Sequence, residues 1–122
     1  MEPREKLQGF SRVVRAFGSS AKGFIGAYRE EAAFRQELLF ACITLPLAIW
    51  LGHNGIERAL LVTPVLILLI VELLNSAIEA TVDRIGLERH ALAGLAKDIG
   101  SAAVLLSIIL VAVVWTLVLT GR

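Results

Sequence analysis

An uninterrupted apolar run near the end of the chain limits its possible folds more than any other feature. "IGSAAVLLSIILVAVVWTLVLT", Ile99 to Thr120, contains no charged residue. It matches the length of about 20 residues that a helix needs to cross the hydrocarbon core of a bilayer. Hydrophobic residues make up 57% of the chain, compared with about 45–50% in soluble domains. We therefore expect an all-α integral membrane protein.

Two further apolar segments, 38–52 and 56–82, could also cross the bilayer, but each reaches the necessary length only if polar residues are included. The first must begin near Ala32, and the second must include Glu72 and Asn75. Pro46 and Pro64 lie inside these segments, and membrane helices tolerate proline better than soluble helices do. We predict a single domain, 1–122, with an interfacial helix at about 5–28 and membrane helices at 31–52, 56–82 and 97–120.

Basic residues are distributed unevenly between the linkers. Ten of the twelve lie in residues 1–37 or in the loop 83–98, and only Arg58 and Arg122 lie elsewhere. This bias predicts a cytoplasmic N-terminus and second loop, with the first loop and the C-terminus outside. The first 30 residues lack the apolar core of a signal peptide, so we expect the first span to direct insertion. A net charge of +1 gives no sign of a nucleic-acid partner.

The N-terminal segment repeats apolar residues at steps of three and four. They are Leu7, Phe10, Val14, Phe17, Ala21, Phe24 and Tyr28. With basic residues mostly off this stripe, the pattern predicts an amphipathic helix in the membrane interface. A coiled coil is the alternative, but the four glycines of this segment disfavour a long rigid coil. The single Cys42 permits no intrachain disulfide and is expected to be a packing residue.

The segment "VELLNSAIEATVDR" places polar residues inside the second span. Glu72, Asn75, Glu79 and Asp83 follow at spacings of three, four and four, so they share one helical face. An acid buried in the membrane costs at least ~2.5–3.5 kcal/mol and is a functional candidate by default. The alternatives are a helix–helix hydrogen bond for Asn75 and a solvated helix end for Glu79 and Asp83.

Charged residues of the other two spans gather at the same predicted depth. Glu30, Glu31, Arg35 and Glu37 lie where the first span begins, and Lys97, Asp98 and Ser101 lie where the third begins. Carboxylates with basic groups suit Mg²⁺ carrying a phosphate ligand, and a carboxyl in apolar surroundings suits general base catalysis. A site that opens at the bilayer indicates a lipid substrate. For Glu31 and Arg35, an i,i+4 surface pair is the alternative.

Three long motifs resemble the bacterial integral-membrane diacylglycerol kinase family. They are "EAAFRQE" (31–37), "VELLNSAIEATVDRIG" (71–86) and "AKDIGSAAVL" (96–105), and the likeness extends from about Gly9 to Trp115. The resemblance implies a homotrimer in the bacterial inner membrane, with three membrane helices and an amphipathic surface helix in each chain. It also implies transfer of the γ-phosphate of MgATP to a lipid hydroxyl at the cytoplasmic face.

The resemblance also implies roles for individual residues. Glu72 would be the catalytic base, Asn75 would support it, and Glu31 and Glu79 would hold Mg²⁺ and the ATP phosphates. The other nucleotide contacts would be Arg12, Ser19, Glu88, His90, Lys97 and Asp98. The diacylglycerol path would include Arg35, Gln36 and Ser101, together with Glu72. By itself, His90 is better explained as an exposed loop histidine than as a nucleotide contact.

One motif departs from the family pattern. Its better-known members have an aromatic-Ser-Trp-Lys-Gly stretch in the surface helix, where this chain has Ser19-Ser20-Ala21-Lys22-Gly23. An aromatic contact with the nucleotide at position 19 is therefore absent.

Three other functions are alternatives to a diacylglycerol kinase. The nearest is the sister enzyme undecaprenol kinase, although Trp50, Trp115 and the long C-terminal span look more like the diacylglycerol branch. A small ion-coupled transporter subunit would carry polar residues across the whole bilayer, whereas the outer half of every span is nearly free of them. A purely structural membrane protein leaves the three acidic clusters at one depth unexplained.

Overall fold

The computed structural model describes residues 9–86, 88 and 90–122, and these form four helices. They are α1 (Phe10–Glu30), α2 (Ala32–Leu51), α3 (Gly55–Ile85) and α4 (Ala91–Thr120). The last three are each long and apolar enough to cross a membrane. The predicted all-helical fold with three candidate membrane helices is confirmed.

Two of the membrane helices extend beyond their apolar segments. α3 continues to Ile85, three residues past Val82, and α4 begins at Ala91 rather than at residue 97. His90 caps α4, because its Nδ1 accepts a hydrogen bond of 3.1 Å from the N–H of Leu92. Hydropathy alone misses these polar turns, since a helix can continue into water once its charged side chains are solvated. Residues 5–8 of the predicted interfacial helix lie outside the described residues.

The interior of the bundle is built on α3, which packs against both α2 and α4. Its buried centre consists of Ala41 on α2, Val65 and Leu68 on α3, and Val111 on α4. A small residue such as Ala41 lets two helices approach closely, which drives association in a lipid environment. Cys42, on α2, is a free thiol at the exposed surface of the single chain.

A side-chain hydrogen bond joins α4 to α3 near the proline of α3. Trp115 Nε1 donates to the carbonyl of Leu61 at 2.9 Å. Pro64, one turn later, has no N–H, so the helix hydrogen-bond pattern is interrupted there. Neighbouring helices commonly satisfy backbone groups around a proline in membrane helices. This bond is one of the contacts that join the two helices.

The turn between α2 and α3 is held to the end of the chain by polar contacts. Arg58 Nε donates to the carbonyl of Ile49 at 3.0 Å. Arg122 donates to the carbonyl of Leu51 and also pairs with Glu57 at 3.1 Å. These contacts satisfy carbonyls at the end of α2 that have no partner within the helix.

α1 is the least packed of the four helices. It contains no buried residue, and the side chains of Phe10 and Phe17 are 83% and 74% exposed in the single chain. Its last turn is tied to α2, because Arg35 Nη1 donates to the carbonyls of Tyr28 at 2.7 Å and Arg29 at 3.2 Å. The surface of α1 therefore remains available for a membrane or another chain.

Candidate active site

The polar face of α3 passes gradually from the interior of the bundle to its surface. Glu72 is 3% exposed and Asn75 is 8% exposed. One turn later Glu79 is partly exposed, and the side chain of Asp83 is about half exposed. The four residues thus form a ladder in which only the first acid is enclosed by protein. Burying an acid in a membrane protein costs free energy, and acids that are buried despite this cost are usually functional.

A second acid, Glu37 of α2, meets Glu72 inside the bundle. The two carboxyl groups are close enough to form a hydrogen bond when one of them carries a proton. Glu37 is partly buried, and its Oε2 has no hydrogen-bond partner among the described residues. The sequence predicts that Glu37 lies at the same depth as the other acids, but it predicts no role for this residue. Only the packing of α2 on α3 reveals that the pair forms.

A group of carboxylates surrounds the junction of α1 and α2. Glu31 is the residue between these helices, and it is partly buried. Burial, followed by the nearby charges of Glu79, Glu30 and Asp83, raises the pKa of Glu31 above its ordinary value. A divalent cation would relieve this accumulation of negative charge.

The side chains at this site suit Mg²⁺ bound together with a phosphate ligand better than a metal ion whose ligands all come from the protein. Within residues 9–86, 88 and 90–122, no three acidic, histidine or cysteine side chains converge as a ligand group. Mg²⁺ usually takes one or two carboxylates and completes its shell with water and substrate phosphates. Glu31 and Glu79 supply two carboxylates that interact electrostatically, so they suit this mode of binding.

A groove of about 540 Å³ lies where α3 ends and α4 begins. Glu88, His90 and Lys97 line it together with Asp83. Lys97 Nζ pairs with Asp83 Oδ1 at 2.7 Å, and both side chains are about half exposed. The structure therefore gathers three of the predicted nucleotide residues in one groove and adds Asp83. Since Lys97 is held by an exposed acid, an anionic ligand would compete with Asp83 for it.

A second groove, of about 530 Å³, separates α1 from α3. Small residues form much of its wall, namely Gly23, Gly26, Ala27, Ser76, Ala77 and Ala80. Glu31 and Phe24 also line it. The groove thus joins an apolar surface to one of the acids around α3.

The other predicted residues lie nearer the surface. Gln36 is exposed near the beginning of α2, and Asp98 and Ser101 are exposed two to three turns into α4. Arg35 is engaged in capping α1, which gives it a structural task besides any contact with lipid. Arg12 and Ser19 are exposed on α1, away from the interior of the bundle. The single chain does not bring Arg12 to the acids of α3.

Comparison with known proteins places the chain in a family. The family model described as prokaryotic diacylglycerol kinase matches residues 18–119. The chain belongs to the prokaryotic diacylglycerol kinase family. The matched range contains Glu31, Glu37, Glu72 and Glu79.

Individual members of the prokaryotic diacylglycerol kinase family are closely similar to this chain. A diacylglycerol kinase of Escherichia coli K12 is 50% identical over 111 residues, which cover 91% of each chain. One from Pseudomonas aeruginosa is 50% identical over 119 residues, covering 98% of this chain and 97% of the relative. One from Haemophilus influenzae is 44% identical over 110 residues, covering 90% and 93%.

Proposed function

We propose that this chain transfers the γ-phosphate of ATP to the free hydroxyl group of diacylglycerol, giving phosphatidic acid and ADP. The observation that carries the proposal is the enclosed carboxyl of Glu72, 3% exposed on a membrane helix. A base at this position can meet the hydroxyl group of a lipid without drawing the lipid out of the bilayer. The relatives named diacylglycerol kinase support the same substrate.

In this reaction Glu72 acts as the general base. It accepts the proton of the lipid hydroxyl while the oxygen bonds to the γ-phosphorus and the bond to the bridging oxygen of ADP breaks. A positioned base contributes about 10²–10⁴-fold to a rate. Asn75, one helical turn further, supports Glu72 and the phosphates through its amide. Phosphoryl transfer depends mainly on positioning and charge stabilisation, which a rigid membrane helix can provide.

Glu31 and Glu79 are the proposed ligands of Mg²⁺. The cation would neutralise phosphate charge when it is bound with ATP. The two acids belong to different elements, since Glu31 precedes α2 and Glu79 lies on α3. Their joint use would tie nucleotide binding to the relative position of these helices.

The remaining nucleotide contacts lie in the groove between α3 and α4. Lys97, His90 and Glu88 line it, and Asp98 is adjacent on α4. Lys97 would exchange its exposed partner Asp83 for a phosphate. Ser19 and Arg12 would contribute from α1.

The position of Arg12 favours sites shared between chains. About 27 Å of helix separates it from Glu30 at the other end of α1, at 1.5 Å per residue. Arg12 therefore reaches a nucleotide near Glu31 most readily in another copy of the chain. This agrees with the homotrimer that the sequence resemblance implies, with residues 1–122 of each chain acting as one domain.

The proposed location is the bacterial inner membrane, with the N-terminus and the acidic end of the bundle in the cytoplasm. The excess of basic residues in residues 1–37 supports this orientation. α1 would lie in the interface with its exposed aromatic side chains in lipid. Arg35, Gln36 and Ser101 would line the path of diacylglycerol to Glu72.

The proposal is tested by measuring ATP consumption by the purified protein in micelles. Three reactions are compared, containing diacylglycerol, undecaprenol or no added lipid, each with MgATP. We expect consumption to require diacylglycerol and to be much slower with undecaprenol. Faster ATP consumption with undecaprenol than with diacylglycerol would show that the chain is an undecaprenol kinase. Consumption that is independent of lipid would contradict both.

A further inference from the structure

Gly100 of α4 faces the side chain of Asn75 on α3. Gly100 is buried, and a Cβ atom built on it would overlap Asn75 Oδ1 and lie 3.2 Å from Cγ. A side chain at position 100 would therefore require Asn75 to move.

The contact involves the asparagine side chain and not the backbone of α3. The three atoms nearest to the built Cβ all belong to the side chain of Asn75, the last of them Cβ at 4.0 Å. Small residues between membrane helices usually allow two backbones to approach closely. Here the space left by the glycine is filled by one polar side chain.

Among the described residues, no hydrogen bond orients the oxygen of this amide. Asn75 Oδ1 is buried and has no hydrogen-bond partner among the described residues. Buried polar atoms without a partner are uncommon and call for an explanation. With its oxygen turned toward Gly100, Asn75 directs its amide N–H donors away from Gly100. They are then available to a ligand on the face that also carries Glu72.

The geometry points to Gly100 as a positioning residue, which holds the Asn75 amide in the orientation that the phosphoryl-transfer site uses. This inference rests on the proposed kinase function. Gly100 touches neither substrate and acts only through Asn75. A methyl group at position 100 would turn the amide while leaving every acid of the site in place.

The test compares Gly100→Ala with a matched control, Gly55→Ala. A Cβ at Gly55, the first residue of α3, has no atom within 4 Å. Alanine is the better helix former at both positions, so helix propensity alone favours both variants. The kcat, the KM for ATP and the melting temperature are measured for wild type, both variants, Asn75→Ala, and Asn75→Ala combined with Gly100→Ala.

We expect Gly100→Ala to lower kcat by about tenfold or more, as displacement of a positioned group does. The KM for ATP should stay within about threefold, because the groove that holds Lys97 is unchanged. Gly55→Ala should match wild type. The double variant should have the kcat of Asn75→Ala alone, because the methyl group then occupies vacated space.

Three results would overturn the inference while wild type remains active. One is a wild-type kcat in Gly100→Ala. Another is a loss in Gly100→Ala that multiplies with the loss in Asn75→Ala. The third is a fall in activity fully explained by a lower melting temperature and less folded protein. An inactive wild type would instead refute the proposed function itself, so the two failures are distinguishable.

Discussion

At the scale of single residues, the central feature is an acid that α3 keeps out of water. Burying Glu72 costs at least ~2.5–3.5 kcal/mol compared with an apolar residue at this depth. A hydrogen bond from a protonated Glu37 to the Glu72 carboxylate would offset part of this cost. A protein selected only for stability would place leucine at both positions. The pair is therefore better explained by chemistry than by folding.

Glu37 should matter because it orients Glu72. We expect Glu37→Ala to lower kcat by up to ~10²-fold, the cost of a misplaced catalytic group. Glu37→Gln should lose less, since its amide can still donate to Glu72. The control is Leu39→Ala, a neighbouring residue that is 64% exposed. Steady-state kinetics in micelles would check this, and equal losses in the alanine and glutamine variants would argue against an orienting hydrogen bond.

The sequence predicts which residues share a face but not which faces meet. The spacing of Glu72, Asn75 and Glu79 follows from helix periodicity alone, and the structure retains it. The pairing of Glu37 with Glu72 and the contact of Gly100 with Asn75 depend on how different helices pack. No periodicity within one segment carries that information. For the same reason, the sequence does not predict the ion pair between Lys97 of α4 and Asp83 of α3.

At the scale of elements, Trp115 joins α4 to α3. Replacing it with phenylalanine keeps most of the apolar surface but removes the donor to the Leu61 carbonyl. We expect Trp115→Phe to lower the free energy of unfolding by about 0.5–1.5 kcal/mol. Trp50→Phe is the control, because Trp50 is 79% exposed. Denaturation in detergent would measure both, and equal losses would show that the hydrogen bond contributes nothing.

The proposed Mg²⁺ site also depends on how elements pack, because Glu31 precedes α2 and Glu79 lies on α3. Glu31→Gln and Glu79→Gln should each raise the Mg²⁺ concentration needed for half-maximal activity, while the oligomer persists. The reason is that Mg²⁺ binds through few protein carboxylates, so each one matters. Glu57→Gln, at the other end of α3, should leave the Mg²⁺ requirement unchanged. An unaltered requirement in both site variants would remove them from the metal site.

At the scale of the whole molecule, three helices that cross the membrane would place the N-terminus and the C-terminus on opposite sides. The basic residues favour a cytoplasmic N-terminus. A periplasmic reporter enzyme fused after Arg122 should therefore be active, whereas a reporter that works only in the cytoplasm should be inactive at the same site. The reverse pattern would invert the proposed orientation and move the acidic end away from cytoplasmic ATP.

The most direct test of the account follows labelled phosphate from ATP to lipid in wild type and in Glu72→Gln. This change is nearly isosteric and removes a buried acid, so the variant should fold at least as well as wild type. Wild type should form labelled phosphatidic acid from diacylglycerol. Glu72→Gln should form it at least ~10²-fold more slowly, with ATP binding largely retained. If the variant keeps more than about a tenth of the wild-type kcat, Glu72 is not the general base.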